Sequence, residues 1–248
     1  MTKVRIDQLL VHKCLCENRS KARALIMVGD VLVEDRPITK AGTQVQENAS
    51  VRLRGKAMPF VSRGGIKLSH ALTVFDINPY GRICFDAGAS TGGFTDCLLQ
   101  RGAALVYSVD VGKNQLHWKL HSDPRVVSLE RINIRYWNAS KIPHLCKLLV
   151  ADLSFISLRL AIPPLIASLE DNADAVLLIK PQFEAGRSDV GSGGIVRNSE
   201  VHERIKYDIW NFFEDTELKP LAVCESPILG MEGNKEFLMY LRLNKVIV

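Results

Sequence analysis

Residues 83–94 run Ile83-Cys84-Phe85-Asp86-Ala87-Gly88-Ala89-Ser90-Thr91-Gly92-Gly93-Phe94, a short apolar strand followed by a turn of small residues. Small residues allow a ligand to approach the backbone closely. A helical pattern that continues through Leu98 and Leu99 begins at this turn, and the exposed N–H groups of a helix start favour an anion. The stretch therefore predicts a strand, a ligand-binding turn and a helix, the unit from which doubly wound α/β sheets are built.

Apolar runs with helical stretches between them continue along the rest of the chain. Together with residues 83–85, they span residues 105–111, 126–129, 148–151, 175–179, 221–224 and 237–243. Short, nearly continuous apolar runs are typical of strands that are covered on both faces. We therefore predict an α/β fold with a doubly wound, mostly parallel, seven-stranded Rossmann-like sheet.

The first sixty residues differ from this body in charge and in pattern. They hold 11 basic and 6 acidic residues, whereas the remaining 21 basic and 21 acidic residues cancel, so the whole net charge of +5 lies here. Short helix and strand patterns alternate, and Asn18 or Ser20 can cap a helix that Gly29 ends. We predict a small basic α+β domain over residues 1–58 and a larger domain over residues 59–248.

Composition excludes several classes of protein. Of the 248 residues, 47% are hydrophobic and 24% are charged, which excludes wholesale disorder. The six cysteines fit reduced thiols better than a disulfide framework, and neither they nor the histidines show the spacing of metal ligands. We see no signal peptide and no apolar run long enough to span a bilayer, so we expect a soluble, cytoplasmic protein without a metal.

Several kinds of site fit the glycine turn. A dinucleotide site prefers G-x-G-x-x-G, but Ser90 replaces the middle glycine here. An S-adenosylmethionine site would use Asp86 to organise the turn and Asp110, at the end of the next strand, to hold ribose hydroxyls. A turn that serves only to pack helix on strand is a further interpretation.

A hydrolase is another alternative, because residues 88–92 match the G-x-S-x-G pattern. It would need Ser90 as nucleophile, Asp152 or Asp174 as the acid and His202 as the base. His202 lies in a predicted helix rather than in a loop, which disfavours this interpretation.

Four charged residues lie where predicted elements end. Asp152 and Lys180 follow apolar runs, Glu236 precedes the last run, and Lys67 lies on the helix before the first run. Lysine is rarely placed beside a buried run unless it is paired or functional. Taken singly, each is best explained as a solvated charge, but as a group at one rim of the sheet they predict a functional site.

The chain resembles the haemolysin-A/TlyA-like family of ribosomal RNA methyltransferases in five strings that occur in order. They are Ser62-Arg63-Gly64-Gly65-Ile66-Lys67-Leu68, residues 86–94, Ala151-Asp152-Leu153-Ser154-Phe155-Ile156-Ser157, Ile179-Lys180-Pro181-Gln182-Phe183-Glu184 and Gly193-Gly194-Ile195-Val196-Arg197. The resemblance covers essentially the whole chain. It implies an S4-type RNA-binding domain joined to a methyltransferase domain related to the FtsJ-type 2′-O-methyltransferases.

The resemblance further implies the cofactor S-adenosylmethionine and a catalytic Lys–Asp–Lys–Glu tetrad. By motif position, the tetrad falls on Lys67, Asp152, Lys180 and Glu236. The cofactor-binding residues would be Asp86, Gly88, Ser90, Thr91, Gly92, Gly93, Phe94, Asp110 and Asp152. We predict that Lys180 is the base or the direct partner of a ribose 2′-hydroxyl, that Lys67 supports it, and that the carboxylates orient both lysines.

The predicted RNA-binding residues are basic. Arg19, Lys21 and Arg23 crowd the start of the second helix, where the charge and the helix dipole both favour phosphate. Arg5 and Arg63 extend this set, although a solvated basic face is the plain alternative. The resemblance implies ribosomal RNA or ribosomal subunits as the partner, with cytidine as the target nucleoside.

Two other functions stay open. One is an RNA-binding protein that retains the crevice without catalysis. The other is a membrane-active haemolysin, as the name of the family suggests. No strongly amphipathic cationic helix is evident, which disfavours the second function.

Overall fold

The computed structural model describes residues 3–13, 15–16, 18–54, 58–230 and 233–244. The chain divides into two compact units, residues 1–59 and residues 60–248. The predicted domain boundary after residue 58 stays a prediction.

The first unit is a small α+β structure. Its elements are β1 (Lys3–Arg5), α1 (Ile6–His12), α2 (Arg19–Met27), β2 (Val31–Val33), β3 (Arg36–Ile38), β4 (Gln44–Gln46) and β5 (Val51–Leu53). Strand β1 pairs with β4, and β2 lies between β3 and β5, with all pairs antiparallel. Of the two predicted cap residues, Asn18 caps α2 by accepting a hydrogen bond from the backbone N–H of Lys21. Both helices and strands contribute to one apolar core that includes Ile6, Leu10 and Ile26.

The second unit alternates strands and helices. Its elements are α3 (Gly64–Val74), β6 (Ile83–Ala87), α4 (Gly93–Gln100), β7 (Leu105–Val109), α5 (Trp118–His121), β8 (Val126–Leu129), β9 (Cys146–Ala151), α6 (Leu158–Ala161), β10 (Leu169–Ile179), α7 (Pro181–Glu184), α8 (Ser199–Glu214), β11 (Leu218–Glu225) and β12 (Phe237–Leu243). Four 3₁₀ helices span Ile134–Tyr136, Ala139–Lys141, Pro163–Ser168 and Arg187–Asp189 among the residues described.

The seven strands of this unit form one sheet in the order β11-β12-β10-β9-β6-β7-β8. Strands β10, β9, β6, β7 and β8 are parallel, and β12 runs antiparallel between β10 and β11. The predicted seven-stranded, mostly parallel sheet is confirmed.

Helices cover both faces of the sheet because successive side chains of a strand point to opposite faces. Cys84 packs with residues of α3 and α4 on one face, whereas Phe85 packs with residues of α6 and α8 on the other. Leu148 and Leu149 divide in the same way. Strands buried on both sides explain the continuous apolar runs of the sequence.

The strand order reverses at β6, since the chain passes from β6 to β7 and β8 on one side and then to β9 on the other. A crevice forms outside the carboxyl ends of the strands at such a switch point. The glycine turn follows β6 there, and Asp152 follows β9.

Candidate functional site

A cavity of about 560 Å³ lies at the carboxyl ends of β6, β9 and β10. Its wall includes all four residues of the predicted tetrad, Lys67, Asp152, Lys180 and Glu236. The glycine turn and Arg63 also line it. The fold thus gathers residues that are up to 169 positions apart in the chain.

The glycine turn lies tightly against the end of β9. Gly88 has a φ of +82°, and a Cβ atom at this position would lie 2.6 Å from the carbonyl oxygen of Asp152. Gly92, with a φ of +94°, leads into α4. Both positions require glycine for conformation, and Gly88 also requires it for space.

Asp86 anchors the turn from within the protein. Its carboxylate is fully buried and accepts a hydrogen bond of 2.6 Å from the Thr95 hydroxyl of α4. The Thr95 hydroxyl also lies 2.7 Å from that of Ser108 on β7, so the network ties α4 to two strands. Burial raises the pKa of Asp86 to about 7. Asp86 therefore supports the turn from the protein interior.

Asp110 connects the glycine turn to the loop that follows β7. One carboxylate oxygen accepts the Ser90 N–H at 2.8 Å, and the other accepts the Gly112 N–H at 2.7 Å. A narrow recess of about 10 Å³ lies beside Asp110, with Gln115 and Leu116 in its wall. The acid lies where the sequence predicted, next to the glycine turn.

The tetrad forms two ion pairs. Lys67 on α3 lies 2.5 Å from Glu236, and both side chains are buried. Lys180 lies 2.6 Å from Asp152 and donates a hydrogen bond of 3.0 Å to the Ser154 hydroxyl. Each ammonium group therefore has one carboxylate beside it, which offsets the cost of removing the charges from water.

Phe155 is a feature that the sequence reasoning missed. It has a φ of +64° and is 91% exposed, although it lines the cavity. Its ring centroid lies 4.9 Å from that of Phe183. An aromatic residue in a polar loop directly after a strand was the signal in the sequence that could have indicated it.

The predicted RNA-binding arginines of the first unit surround a buried acid. Arg5 and Arg19 each lie 3.0 Å from the Asp7 carboxylate, and Arg23 lies 3.5 Å from it. The hydrogen bond from Arg5 holds the pKa of Asp7 well below its usual range. Three cations around one anion leave a net positive, partly exposed cluster, which we call the Asp7 cluster.

The other two predicted RNA-binding residues belong to different units of the chain. Lys21 is exposed on α2, and Arg63 is exposed at the cavity, where its backbone precedes α3.

The residues of the hydrolase alternative have separate partners. The His202 ring is buried on α8 and bonds to the Val196 carbonyl, and Asp174 binds Arg82 and Tyr240. Asp152 is paired with Lys180. In the described part of the chain these residues do not form a hydrogen-bonded triad with Ser90, so this alternative is disfavoured.

The described residues also lack the features of two other kinds of site. No group of histidine, cysteine and carboxylate side chains among them is arranged to hold a metal ion. No helix in those ranges has both the length and the apolar character that a membrane crossing requires.

Two family models match the chain. The FtsJ-like methyltransferase model matches residues 60–243, and the S4 domain model matches residues 4–51. These matches confirm the resemblance that the five strings indicated.

Named relatives cover nearly the whole chain. The 16S/23S rRNA (cytidine-2′-O)-methyltransferase TlyA of Mycobacterium tuberculosis is 42% identical over 97% of this chain and 90% of its own length. Hemolysin A of Brachyspira hyodysenteriae is 39% identical over 96% of this chain and 99% of its own length. A solved structure from Streptococcus thermophilus, provisionally assigned as a hemolysin, is 42% identical with a TM-score of 0.78 over 99% of this chain and 90% of its own.

Proposed function

The chain belongs to the FtsJ-like methyltransferase family, and from this premise we propose that it transfers a methyl group from S-adenosylmethionine to the 2′-hydroxyl of a cytidine in ribosomal RNA. It is an RNA-modifying enzyme with an amino-terminal S4 domain. The observation that carries the proposal is the pair of lysine–carboxylate contacts on the wall of one cavity, beside the glycine turn.

The residues at the glycine turn fit S-adenosylmethionine. The start of α4 offers backbone N–H groups, and Gly88 presents no side chain where the turn approaches the end of β9. Asp110 uses its oxygens for two N–H groups, but a carboxylate has about four acceptor sites and can also accept ribose hydroxyls.

The four residues of the tetrad position the ribose 2′-hydroxyl and stabilise the charge that develops on it. Bound S-adenosylmethionine supplies an electrophilic methyl group, and in-line placement of the ribose oxygen provides much of the rate. Lys180, oriented by Asp152 and Ser154, holds the 2′-hydroxyl. The hydroxyl proton passes to Lys180, which accepts it in the neutral amine form. Lys67, oriented by Glu236, stabilises the negative charge that develops on the ribose oxygen as this proton leaves.

The cavity rim suits a nucleotide taken out of its stack. Phe155 offers an exposed aromatic face on which a base can stack, and Phe183 supports it from below. Arg63 places a guanidinium group at the cavity, where a phosphate of the same strand would lie. We also assign the Asp7 cluster to ribosomal RNA phosphates, and we place the reaction in the cytoplasm.

The test is a methyl-transfer assay with labelled S-adenosylmethionine and ribosomal subunits that lack the modification. We expect label on the ribose oxygen of a cytidine, located by mass spectrometry of the digested RNA. Lys180→Ala should lower the single-turnover rate at least about a hundredfold. The matched control is Lys147→Ala, because Lys147 pairs with Glu170 at the opposite end of β9.

Label on a base, or no label on either ribosomal subunit, would contradict the proposal. Binding of S-adenosylmethionine and RNA without transfer would instead support the non-catalytic RNA-binding alternative. Leakage of dye-loaded liposomes by the purified protein would support the haemolysin alternative.

A further inference from the structure

Two of the strings in the sequence end on residues that the tetrad does not use. Ser157 ends the string that begins at Ala151, and Glu184 ends the string that contains Lys180. In the structure these two ends meet, since the Ser157 hydroxyl donates a hydrogen bond of 2.7 Å to the Glu184 carboxylate.

Glu184 makes a second bond to the same loop. Its other oxygen accepts the backbone N–H of Leu158 at 2.7 Å, at the first residue of α6. Arg159 lies 3.8 Å from the carboxylate, whose side chain is only 2% exposed. Burial raises the pKa of Glu184, and the two hydrogen bonds and Arg159 act against that shift. A buried carboxylate with this many donors joins α7 to the start of α6.

The segment that Glu184 holds is the one that carries reacting groups. Residues 152–157 contain Asp152 and Ser154, both within contact distance of Lys180. Residue 152 is fixed at one end, because its N–H bonds to the carbonyl of Ala87 on β6. Glu184 fixes the other end, at residues 157 and 158. Lys180 directly precedes α7, so α7 spans the distance from Lys180 to this attachment.

The segment also contains a conformation that needs support. Phe155 has a φ of +64°, which is unfavourable for a bulky residue, and its side chain is largely exposed apart from the contact with Phe183. Such conformations persist where the surrounding structure over-determines them. The fixed ends of the segment provide that constraint.

We propose that Glu184 is a positioning residue for methyl transfer: its buried carboxylate fixes residues 152–157 to α7 and so holds Lys180 in register with Asp152 and Ser154. This inference rests on the proposed function of the tetrad. A group that only stabilised the fold would affect melting and leave the chemical step alone.

The first experiment compares Glu184→Gln with Glu214→Gln. The glutamine variant keeps the shape of the side chain but offers only one carbonyl oxygen to two donors. Glu214 accepts a hydrogen bond from Trp210 on the outer face of α8 and serves as the matched control. We expect Glu184→Gln to lower the single-turnover rate about ten- to a hundredfold, with the affinity for S-adenosylmethionine nearly unchanged. Glu214→Gln should retain the wild-type rate.

A double-mutant cycle with Ser154→Ala separates positioning from stability. If Glu184 acts by placing Ser154 and Lys180, the two changes have less than additive effects on the rate. Additive effects, or a lower melting temperature with a full rate at a temperature well below melting, would overturn the inference. If Glu184→Gln does not fold, Ser157→Ala removes one of the two bonds and takes its place in the cycle.

Failure of the proposed function is distinguishable from failure of this inference. The first appears as a wild-type protein that transfers no methyl group. In that case a crystal structure of Glu184→Gln still decides the inference, because Lys180 should lose its hydrogen bond to Ser154. Retention of that bond would refute the positioning role.

Discussion

Asp86 links the protonation of one carboxyl group to folding. Its pKa is raised to about 7 by burial, whereas in the unfolded chain it is near 3.8. The folded state therefore binds the proton more tightly, and folding loses stability as pH rises from about 4 to about 7, by about 4 kcal/mol at the upper end. Below this range both states are protonated and the effect disappears.

We expect Asp86→Asn to remove that dependence, since the amide does not titrate. The measurement is the free energy of unfolding in urea at about pH 5 and about pH 8 for both proteins. The wild-type protein should lose more stability between these pH values than the variant. Equal losses would show that Asp86 does not have a raised pKa.

A substitution at Phe155 tests whether a base of the RNA stacks on its exposed ring. Phe155→Ala should lower kcat/KM for RNA about tenfold, because stacking of one base is worth about 1–3 kcal/mol. Phe155→Trp should retain function, and S-adenosylmethionine affinity should not change. The matched control is Tyr207→Ala, which removes an exposed aromatic ring from α8. An unchanged kcat/KM for Phe155→Ala would exclude this stacking.

The sequence predicted which residues end the elements of the site, but not how they pair. Lys67, Asp152, Lys180 and Glu236 were named from motif position, and their roles stay predictions. That Lys67 faces Glu236 while Lys180 faces Asp152 depends on the side-by-side order of distant strands. Asp7 was missed because an acid in the first turn of a helix is ordinary, and its burial arises only when three arginines fold around it.

At the scale of elements, the turn between β6 and α4 depends on close backbone approach. Gly88→Ala would place a methyl group 2.6 Å from the Asp152 carbonyl oxygen and would also strain a positive φ. We expect a loss of about 1–3 kcal/mol in stability and weaker binding of S-adenosylmethionine, measured by thermal unfolding and calorimetry. Gly81→Ala is the matched control, since Gly81 has a φ of +69° but open space around it. Similar cofactor affinities for the two variants would contradict a role for close approach.

The apolar runs located every strand of the large sheet, because strands covered on both faces must be apolar throughout. They located both ends of β8 and β12, but they missed at least one end of each of the other five strands. Strand β10 begins at Leu169, six residues before its predicted run, through a polar stretch with an irregular register that includes Glu170 and Asn172. The antiparallel direction of β12 could not be predicted either, because the apolar pattern of a strand does not show in which direction it runs.

At the scale of the whole molecule, the excess charge lies in the first unit. We expect the double variant Arg19→Gln with Arg23→Gln to bind ribosomal RNA more weakly. Its binding constant should also depend less on salt: the slope of the log binding constant against the log salt concentration should fall by about one for each phosphate that is no longer bound. S-adenosylmethionine affinity should not change, because the proposed cofactor site belongs to the other unit.

The matched control is Lys147→Gln with Lys219→Gln, which removes two charges near the amino ends of β9 and β11. Circular dichroism should establish that the first unit stays folded, since both arginines also neutralise Asp7. Equal RNA affinity for the arginine variant and this control would remove the Asp7 cluster from the interface.

The position of β12 between β10 and β11 also bears on the order in which parts of the fold form during synthesis of the chain. Both neighbours are synthesised earlier, but neither can form its antiparallel ladder with β12 until that later strand is made. The same strand brings Glu236 to Lys67. Since domains generally fold as units with the amino-terminal domain first, we expect the S4 domain to fold while the sheet of the second unit is still incomplete. We therefore expect the proposed catalytic arrangement to be completed only when this last strand is inserted.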